Sequence, residues 1–195
     1  MSIENDWLYR KDTLPLRDAL CEFLEEHYGK VRFLEEKTLG RVRADMIAVL
    51  PNAICGIEIK SHCDTYTRLD GQVRGYDRFC DFSYLCAADK HVHAIDRIPP
   101  AWGIISITVR EGARFRIVRA PEEARRDVLG NQLSLLWRNE LAEILRAEGL
   151  PKYTGKSKKF ICDALLRRVP GDRLRARLCD ALFERDYSLY SDAQT

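Results

Sequence analysis

Hydrophobic and polar positions along the first third of the chain predict a helix followed by a strand. Residues 14–28 carry apolar side chains at helical spacing, and Gly29 stands where a left-handed C-terminal cap is typical. Residues 30–37 alternate in the manner of a strand, with Gly40 in the turn that follows. The chain therefore opens with an amphipathic helix packed beside a sheet.

The next stretch, residues 42–60, predicts a hairpin of two strands. Residues 42–50 alternate and then become apolar, and Pro51-Asn52 interrupts them with residues that favour turns. Residues 53–59 form an apolar, β-branched run, which is typical of a buried central strand. We expect a turn near residues 51–53.

Helical and strand patterns alternate again after the hairpin. A helix is predicted to end near Cys80, with Leu69, Val73 and Tyr76 on its buried side. Residues 82–88 are a short apolar run that a β-α-β crossover would place beside the second hairpin strand. Two further strands follow in residues 102–118, and the remaining residues repeat at helical spacing. The predicted domains are residues 1–120, containing the sheet, and a helical extension over residues 121–195.

Three ionisable residues interrupt the apolar hairpin: Asp45, Glu58 and Lys60. Alternation along a strand puts Glu58 and Lys60 on one side, and the turn can bring Asp45 next to Glu58. Two carboxylates about 4 Å apart would repel by roughly 4 kcal/mol at an intermediate dielectric. A hard cation such as Mg²⁺ removes that repulsion, and Lys60 could then orient or deprotonate a water, or stabilise charge on a phosphate. In the alternative interpretation, Asp45 caps a turn and the other two residues form an exposed pair on an edge strand.

The spacing of these residues resembles the PD-(D/E)XK nuclease superfamily. Asp45, twelve intervening residues and then Glu58-Ile59-Lys60 match its signature, although Ala44 stands where the superfamily name has Pro. The strings GRVRADMIAV and GIEIKS, followed by Gln72 and Tyr76, are similar to small stand-alone bacterial members such as the MmcB-type DNA repair proteins. The resemblance covers roughly residues 14–110.

The resemblance implies an α/β, restriction-endonuclease-like core, a mixed central sheet flanked by helices, with Mg²⁺ as the cofactor and Mn²⁺ as a substitute. Asp45 and Glu58 would hold the metal with the backbone carbonyl of Ile59, and Lys60 and Gln72 would complete the catalytic set. For a further carboxylate, Glu36 is the first choice and Glu22 or Asp18 the alternatives; charged surface positions explain these three acids equally well. Expected contacts with nucleic acid are Arg41, Arg43, Arg68 and Tyr76.

Basic residues accumulate in the helical extension. Residues 151–185 contain ten Lys or Arg and four Asp or Glu, a local charge of +6, whereas the whole chain has a net charge of only +2. A helix, a short polar link and a basic helix resemble the SAP DNA-binding module, and Lys156, Lys158 and Lys159 are the expected phosphate contacts. A helical cap with its basic residues facing water would produce the same pattern.

Composition changes this picture little. The seven cysteines show no paired metal-binding spacing and suit a reducing compartment, so we expect a cytoplasmic protein without a membrane segment. The sequence favours a metal-dependent nuclease that hydrolyses DNA in repair or processing, with a homodimer left open. One alternative is a catalytically inactive protein of the same fold that binds DNA or a repair partner. Another is an accessory protein of a phage or mobile element.

Overall fold

The computed structural model describes residues 14–60, 66–88, 96–109, 113–123 and 128–186. The chain divides into two compact units, Met1–Val128 and Leu129–Thr195, which are described separately below. The sequence also offers Ser61 as a hydrogen-bonding residue at the end of the second hairpin strand and Asp64 or Thr65 as the N-cap of the following helix. These three residues lie outside the described residues.

The first unit combines helices with strands, as the hydrophobic pattern predicts. Its helices are α1 (Leu14–Tyr28), a short 3₁₀ helix (Tyr66–Arg68) and α2 (Leu69–Phe79). Its strands are β1 (Arg32–Glu35), β2 (Thr38–Leu39), β3 (Val42–Arg43), β4 (Met46–Val49), β5 (Ile54–Lys60), β6 (Phe82–Ala88), β7 (Gly103–Val109) and β8 (Ala113–Arg119).

Six of these strands form one mixed sheet in the order β1-β4-β5-β6-β7-β8. The pairs β1/β4, β4/β5 and β7/β8 are antiparallel, whereas β5/β6 and β6/β7 are parallel. Strand β5, which carries Glu58 and Lys60, therefore lies inside the sheet with a neighbour on each side. This position excludes the edge-strand interpretation of the two charged residues.

Helix α1 covers one face of the sheet. Its buried residues Leu16, Leu20 and Leu24 belong to one hydrophobic core with residues from β4, β5, β6 and β7. Cys55 and Ile57 are the β5 members of this core, so the alternation of the strand turns Gly56, Glu58 and Lys60 to the opposite face. The amphipathic pattern of α1 thus fixes which side of β5 is polar.

Helix α2 packs against the opposite face, where Tyr76 lies on Gly56. A Cβ atom added to Gly56 would come within 2.2 Å of Tyr76 Cδ1, so only a glycine permits this approach. Leu69 and Val73 are buried along the same helix, as the stripe in the sequence predicts, and Phe79 is buried as well.

Residues 42–50 do not form the single strand that their pattern predicts. Val42 and Arg43 pair with the two-residue strand β2, and the main sheet resumes only at Met46. Between the two strands, the amide of Ala44 donates to Lys37 O at 2.9 Å and the carbonyl of Asp45 accepts from Glu36 N at 3.1 Å. Backbone pairing with residues 36–37 therefore carries the chain through Asp45, at the place where a candidate ligand is needed.

In the second unit, all the regular secondary structure that the structure describes is helical. Its helices are α3 (Leu129–Leu133), α4 (Arg138–Ala147), α5 (Lys158–Arg168) and α6 (Gly171–Glu184). Ser157 caps α5, because its Oγ accepts from the amide of Phe160 at 3.2 Å. Leu141, Leu145, Leu165 and Leu174 are among the residues that form the buried interior.

The predicted fold class is confirmed: the chain has a mixed central sheet flanked by helices, followed by a helical C-terminal region. Within the described residues, no helix is both long enough and apolar enough to cross a membrane.

Candidate active site

A tyrosine hydroxyl separates β4 from β5 beside the predicted site. The antiparallel pairing of the two strands ends with Met46 opposite Ile57. One step further, the Tyr76 hydroxyl accepts from the amide of Asp45 at 3.0 Å and donates to the carbonyl of Ile57 at 3.0 Å. A side chain of α2 thus stands between two backbone groups of neighbouring strands.

The carboxylate of Asp45 points toward β5. Its Oδ2 accepts from the amide of Ile59 at 2.9 Å, which connects it to the residue between Glu58 and Lys60. This contact brings the first predicted acid to the strand that carries the other two groups.

Glu58, Lys60 and Gln72 form a closed triangle of polar contacts. Lys60 Nζ lies 2.7 Å from Glu58 Oε1 and donates to Gln72 Oε1 at 3.1 Å. Gln72 Nε2 donates to the same Glu58 oxygen at 2.5 Å. The side chain of Glu58 is 0% exposed and that of Lys60 is 7% exposed, so the three groups satisfy one another with little help from water.

The second carboxylate oxygen of Glu58 is in a different situation. Glu58 Oε2 is buried and has no hydrogen-bond partner among the described residues. Burial, with a smaller contribution from the charge of Asp45, raises the pKa of Glu58 to about 7, although Lys60 and the Tyr76 hydroxyl oppose the shift. A buried acceptor without a partner and a raised pKa both indicate a place that favours an added cation or a proton.

An open cleft of about 920 Å³ lies over these groups. Asp45, Glu58, Lys60 and Gln72 line it together with Ile59, so the structure brings the whole predicted catalytic set to one surface. The amide of Ile59 binds Asp45, and the role of its carbonyl stays a prediction.

The predicted flanking residues fall into two groups. Glu36, Arg41, Arg43 and Arg68 all line the cleft, and Arg43 lies 3.6 Å from the Glu36 carboxylate. Glu36 also has a φ of 49°, in the left-handed region that non-glycine residues rarely adopt. Asp18 and Glu22 are exposed on α1 and are not among the residues that line the cleft.

The prediction that Tyr76 contacts nucleic acid is wrong. Its side chain is 0% exposed and lies beneath α2, with its ring on Gly56 and at 5.4 Å from the ring of Trp102. Tyr76 also belongs to the buried stripe that the sequence predicts for this helix, and its ring lies on that side because Gly56 leaves room for it. Tyr76 acts on the site from within, through its hydroxyl.

The three lysines predicted to bind phosphate lie in the second unit and differ in their contacts. Lys158 Nζ donates to the carbonyl of Ser134 at 2.7 Å, and Lys159 Nζ forms an ion pair with Asp163 at 2.6 Å. Lys156 is exposed and lies over the ring of Phe160.

Sequence analysis did not identify two further arginines that line the cleft, Arg17 and Arg74. Arg17 reaches the cleft from α1 and pairs with Glu35 at 2.7 Å. Arg74 is exposed on α2, two residues after Gln72. A basic side chain close to Gln72 on the predicted helix was the available signal for Arg74, whereas nothing in the sequence links Arg17 to Glu35.

The donor groups suit a hard divalent cation. Within the described ranges, no group of three His, Cys, Asp or Glu side chains is placed to hold a metal ion. Mg²⁺, however, is commonly held by one or two carboxylates and completes its shell with water and substrate phosphate. Asp45 and the unpartnered oxygen of Glu58 match that requirement.

Comparisons with known proteins place the chain in a family. No curated protein matches it. A similar solved structure is the SPO1766 protein of unknown function from Silicibacter pomeroyi, with a TM-score of 0.49 and 20% identity; the match covers 75% of this chain and 97% of that one. The family model described as bacteriophage P4 protein cII matches residues 14–193. The chain therefore belongs to the bacteriophage P4 protein cII family.

Proposed function

We propose that the protein is a metal-dependent nuclease that hydrolyses DNA phosphodiester bonds. The observation that carries this proposal is the site on the polar face of β5. There, Glu58 and Lys60 are buried side by side, next to Asp45, at the floor of an open cleft. Burial of ionised groups is costly and is concentrated at functional sites. A purely structural ion pair would not explain the unpartnered oxygen of Glu58 or the opening above it.

Asp45 and Glu58 would hold Mg²⁺, or Mn²⁺ in its place. The bound cation would supply a Lewis acid for the phosphate and a lower pKa for a bound water. The protein keeps the two carboxylates ready for this role. Gln72 and Lys60 contact Glu58 Oε1 and leave the buried Oε2 without a hydrogen-bond partner among the described residues, while the amide of Ile59 fixes Asp45 Oδ2.

Lys60 is the catalytic cation of the proposed site. Its ammonium has three donors, of which Glu58 and Gln72 take two in the described contacts. The remaining donor can orient the attacking water or bind a phosphate oxygen as negative charge develops. The amide oxygen of Gln72 accepts from Lys60, and its nitrogen donates to Glu58. Because both amide atoms are used in this way, we assign Gln72 as a positioning residue.

Arginines around the cleft would hold the DNA backbone. Arg41, Arg43, Arg68 and Arg74 are all exposed at its rim and can contact phosphates without reading sequence. The family is named after a bacteriophage protein, which supports a role in a phage or mobile element. We place the activity in the cytoplasm, because the six described cysteines are free and suit a reducing compartment.

One observation favours the alternative of a binding protein without catalysis. The described residues contain no cluster of three potential metal-ligating side chains, so any ion would depend on two carboxylates. A protein of this kind would bind DNA in the same cleft and leave it intact.

The replacement Glu58→Gln tests the proposal, because it keeps the shape of the side chain and removes its charge. We expect Mg²⁺-dependent cleavage of DNA to fall by about 100-fold or more. Glu26→Gln, on the exposed surface of α1, is the matched control and should cleave as the wild type does. Circular dichroism would verify that both variants fold.

Two outcomes would contradict the nuclease assignment. Equal cleavage by the wild type and the Glu58→Gln variant would place the activity elsewhere. Binding of DNA by the wild type, without cleavage and without calorimetric uptake of Mg²⁺ or Mn²⁺, would establish the alternative.

A further inference from the structure

Two aromatic rings meet on the surface of the second unit. Tyr153 precedes α5 and Phe160 lies in its first turn; their ring centroids are 5.2 Å apart with the planes inclined at 74°. Phe160 is 37% exposed, and Tyr153 is half-buried. These rings are therefore not explained by burial in the core of the unit.

Each ring has a cation beside it. Lys156 Nζ lies 5.5 Å from the centroid of Phe160, and Arg168 Cζ lies 6.0 Å from the centroid of Tyr153. Neither cation forms an ion pair with a carboxylate in the part of the chain that the structure describes. Both charges remain available to an anionic ligand.

Several other basic residues of the same unit are paired with acids. Lys159 pairs with Asp163, and Arg173 and Arg177 both contact the carboxylate of Glu148. These residues therefore have part of their charge balanced by an acid, whereas Lys156 and Arg168, beside the two rings, have no carboxylate partner among the described residues.

The backbone holds Tyr153 in an unusual conformation. Its φ is 48°, a left-handed value that is costly for a residue with a bulky side chain, and Gly155 follows with a φ of 76°. The carbonyl of Tyr153 accepts from the amide of Lys156 at 3.1 Å, which closes the turn. Such strain is concentrated at ligand-binding sites, and here it fixes an aromatic ring at the surface.

We propose that Tyr153, Phe160, Lys156 and Arg168 form a binding site for single-stranded DNA. A base would stack on the exposed ring surface, and the phosphates on either side would contact the two cations. Rings beside a positively charged path are the usual means of binding single strands, since every unpaired base offers a flat face. A duplex keeps its bases stacked inside, so it could use only the cations. The choice of nucleic acid as ligand rests on the proposed function.

The test measures binding separately from cleavage. Fluorescence anisotropy of the full chain with labelled oligothymidylate, in EDTA, reports affinity whether or not the protein is a nuclease. We expect Phe160→Leu, which keeps an apolar side chain and removes the ring, to weaken binding by about tenfold. Leu166→Ala, on the same helix and 36% exposed, is the control and should bind as the wild type does. Tyr153→Leu is a second ring variant.

The charge on Lys156 has a readout of its own. Lys156→Ala should reduce the slope of log affinity against log salt by about 0.7, the value for one phosphate contact on a single strand. Lys159→Ala should change that slope less, because Asp163 already pairs with this lysine.

Three results would overturn the proposal: unchanged affinity in both ring variants, an equal loss in the Leu166→Ala control, or a loss of duplex affinity in the ring variants as large as their loss of single-strand affinity. Failure of the nuclease assignment would instead appear as absent cleavage with these affinities intact.

Discussion

Two lysine–carboxylate pairs in this protein have almost the same geometry and opposite surroundings. Lys60 lies 2.7 Å from Glu58 on the central strand of the sheet, with the two side chains 7% and 0% exposed. Lys159 lies 2.6 Å from Asp163 on helix α5, with the side chains 84% and 37% exposed. Distance alone therefore says nothing about what each pair does.

The two pairs differ in their exposure to solvent. Water screens the pair on α5, and exposed pairs of this kind contribute about 0–1 kcal/mol to stability. The pair on β5 has lost its hydration, and its attraction must offset that cost. Gln72 supplies part of the compensation by bonding both partners, and Glu58 Oε2 shows that the compensation is incomplete. The buried pair on β5 therefore leaves a carboxylate oxygen at the cleft whose loss of hydration is not compensated, whereas water hydrates the exposed pair on α5.

Replacing each lysine with methionine tests most directly whether the buried and the exposed pair differ in their contribution to stability. Lys60→Met leaves the carboxylate of Glu58 buried without its cation, so we expect the free energy of unfolding to fall by about 3–5 kcal/mol. Under the proposed function, DNA cleavage disappears as well. Urea denaturation at about pH 9, where the Glu58 carboxylate of the wild type is ionised, measures the first effect.

Lys159→Met is the matched control for this change. Removal of an exposed partner should alter the free energy of unfolding by no more than about 0.5 kcal/mol. Similar losses in the two variants would show that the burial of Glu58 and Lys60 has no energetic consequence, and the contrast between sheet and helix would fail.

The pH dependence of stability gives the next largest effect. The pKa of Glu58 is raised from 4.5 to about 7 in the folded protein, so the folded state holds the proton more tightly than the unfolded state does. Stability from this group is therefore present below about pH 4.5 and is lost as the pH rises through about 7, a change of about 3 kcal/mol.

The Glu58→Gln variant isolates this contribution, because glutamine does not titrate. In EDTA, the difference in free energy of unfolding between variant and wild type should move in favour of the variant by about 3 kcal/mol between about pH 4 and about pH 8. A difference that stays constant over this range would mean that the folded protein leaves the pKa of Glu58 unchanged.

The sequence predicted the elements that depend on local pattern. Helix α1 begins and ends at the expected residues because Leu16, Leu20 and Leu24 keep helical spacing and Gly29 follows with a φ of 76°. Strand β5 was recognisable from its apolar, β-branched run, and its two charged residues identified the candidate site.

Other features could not be predicted, because they depend on contacts between distant segments. The break between β3 and β4 is stabilised by bonds from Ala44 and Asp45 to residues 36–37, which no periodicity reveals. The helical stripe predicts that Tyr76 is buried, but no pattern predicts that its ring lies on Gly56, twenty residues earlier. Arg17 lines the cleft and forms an ion pair with Glu35 that no pattern in the sequence predicts.

The smallest expected effect is the loss of stability when a single tyrosine hydroxyl is removed, compared at two positions. In Tyr76→Phe, Asp45 N–H loses this acceptor and Ile57 C=O loses this donor, so we expect a loss of about 2 kcal/mol in stability. Tyr28→Phe, the control, removes a half-buried hydroxyl that contacts Tyr84 at 2.6 Å on the α1 side and should cost about 1 kcal/mol.

Calorimetric affinity for Mn²⁺, measured well below the melting temperature of both variants, separates a positioning role from simple packing. Because the Tyr76 hydroxyl holds the backbone of Asp45, its removal should weaken Mn²⁺ binding, whereas Tyr28→Phe should leave it unchanged. Unaltered Mn²⁺ affinity in Tyr76→Phe would assign the hydroxyl to stability alone. Asp45 would then be held in place by its hydrogen bonds to Ile59 and Glu36. The Tyr76 hydroxyl between Asp45 and Ile57 would stabilise the fold without contributing to the site.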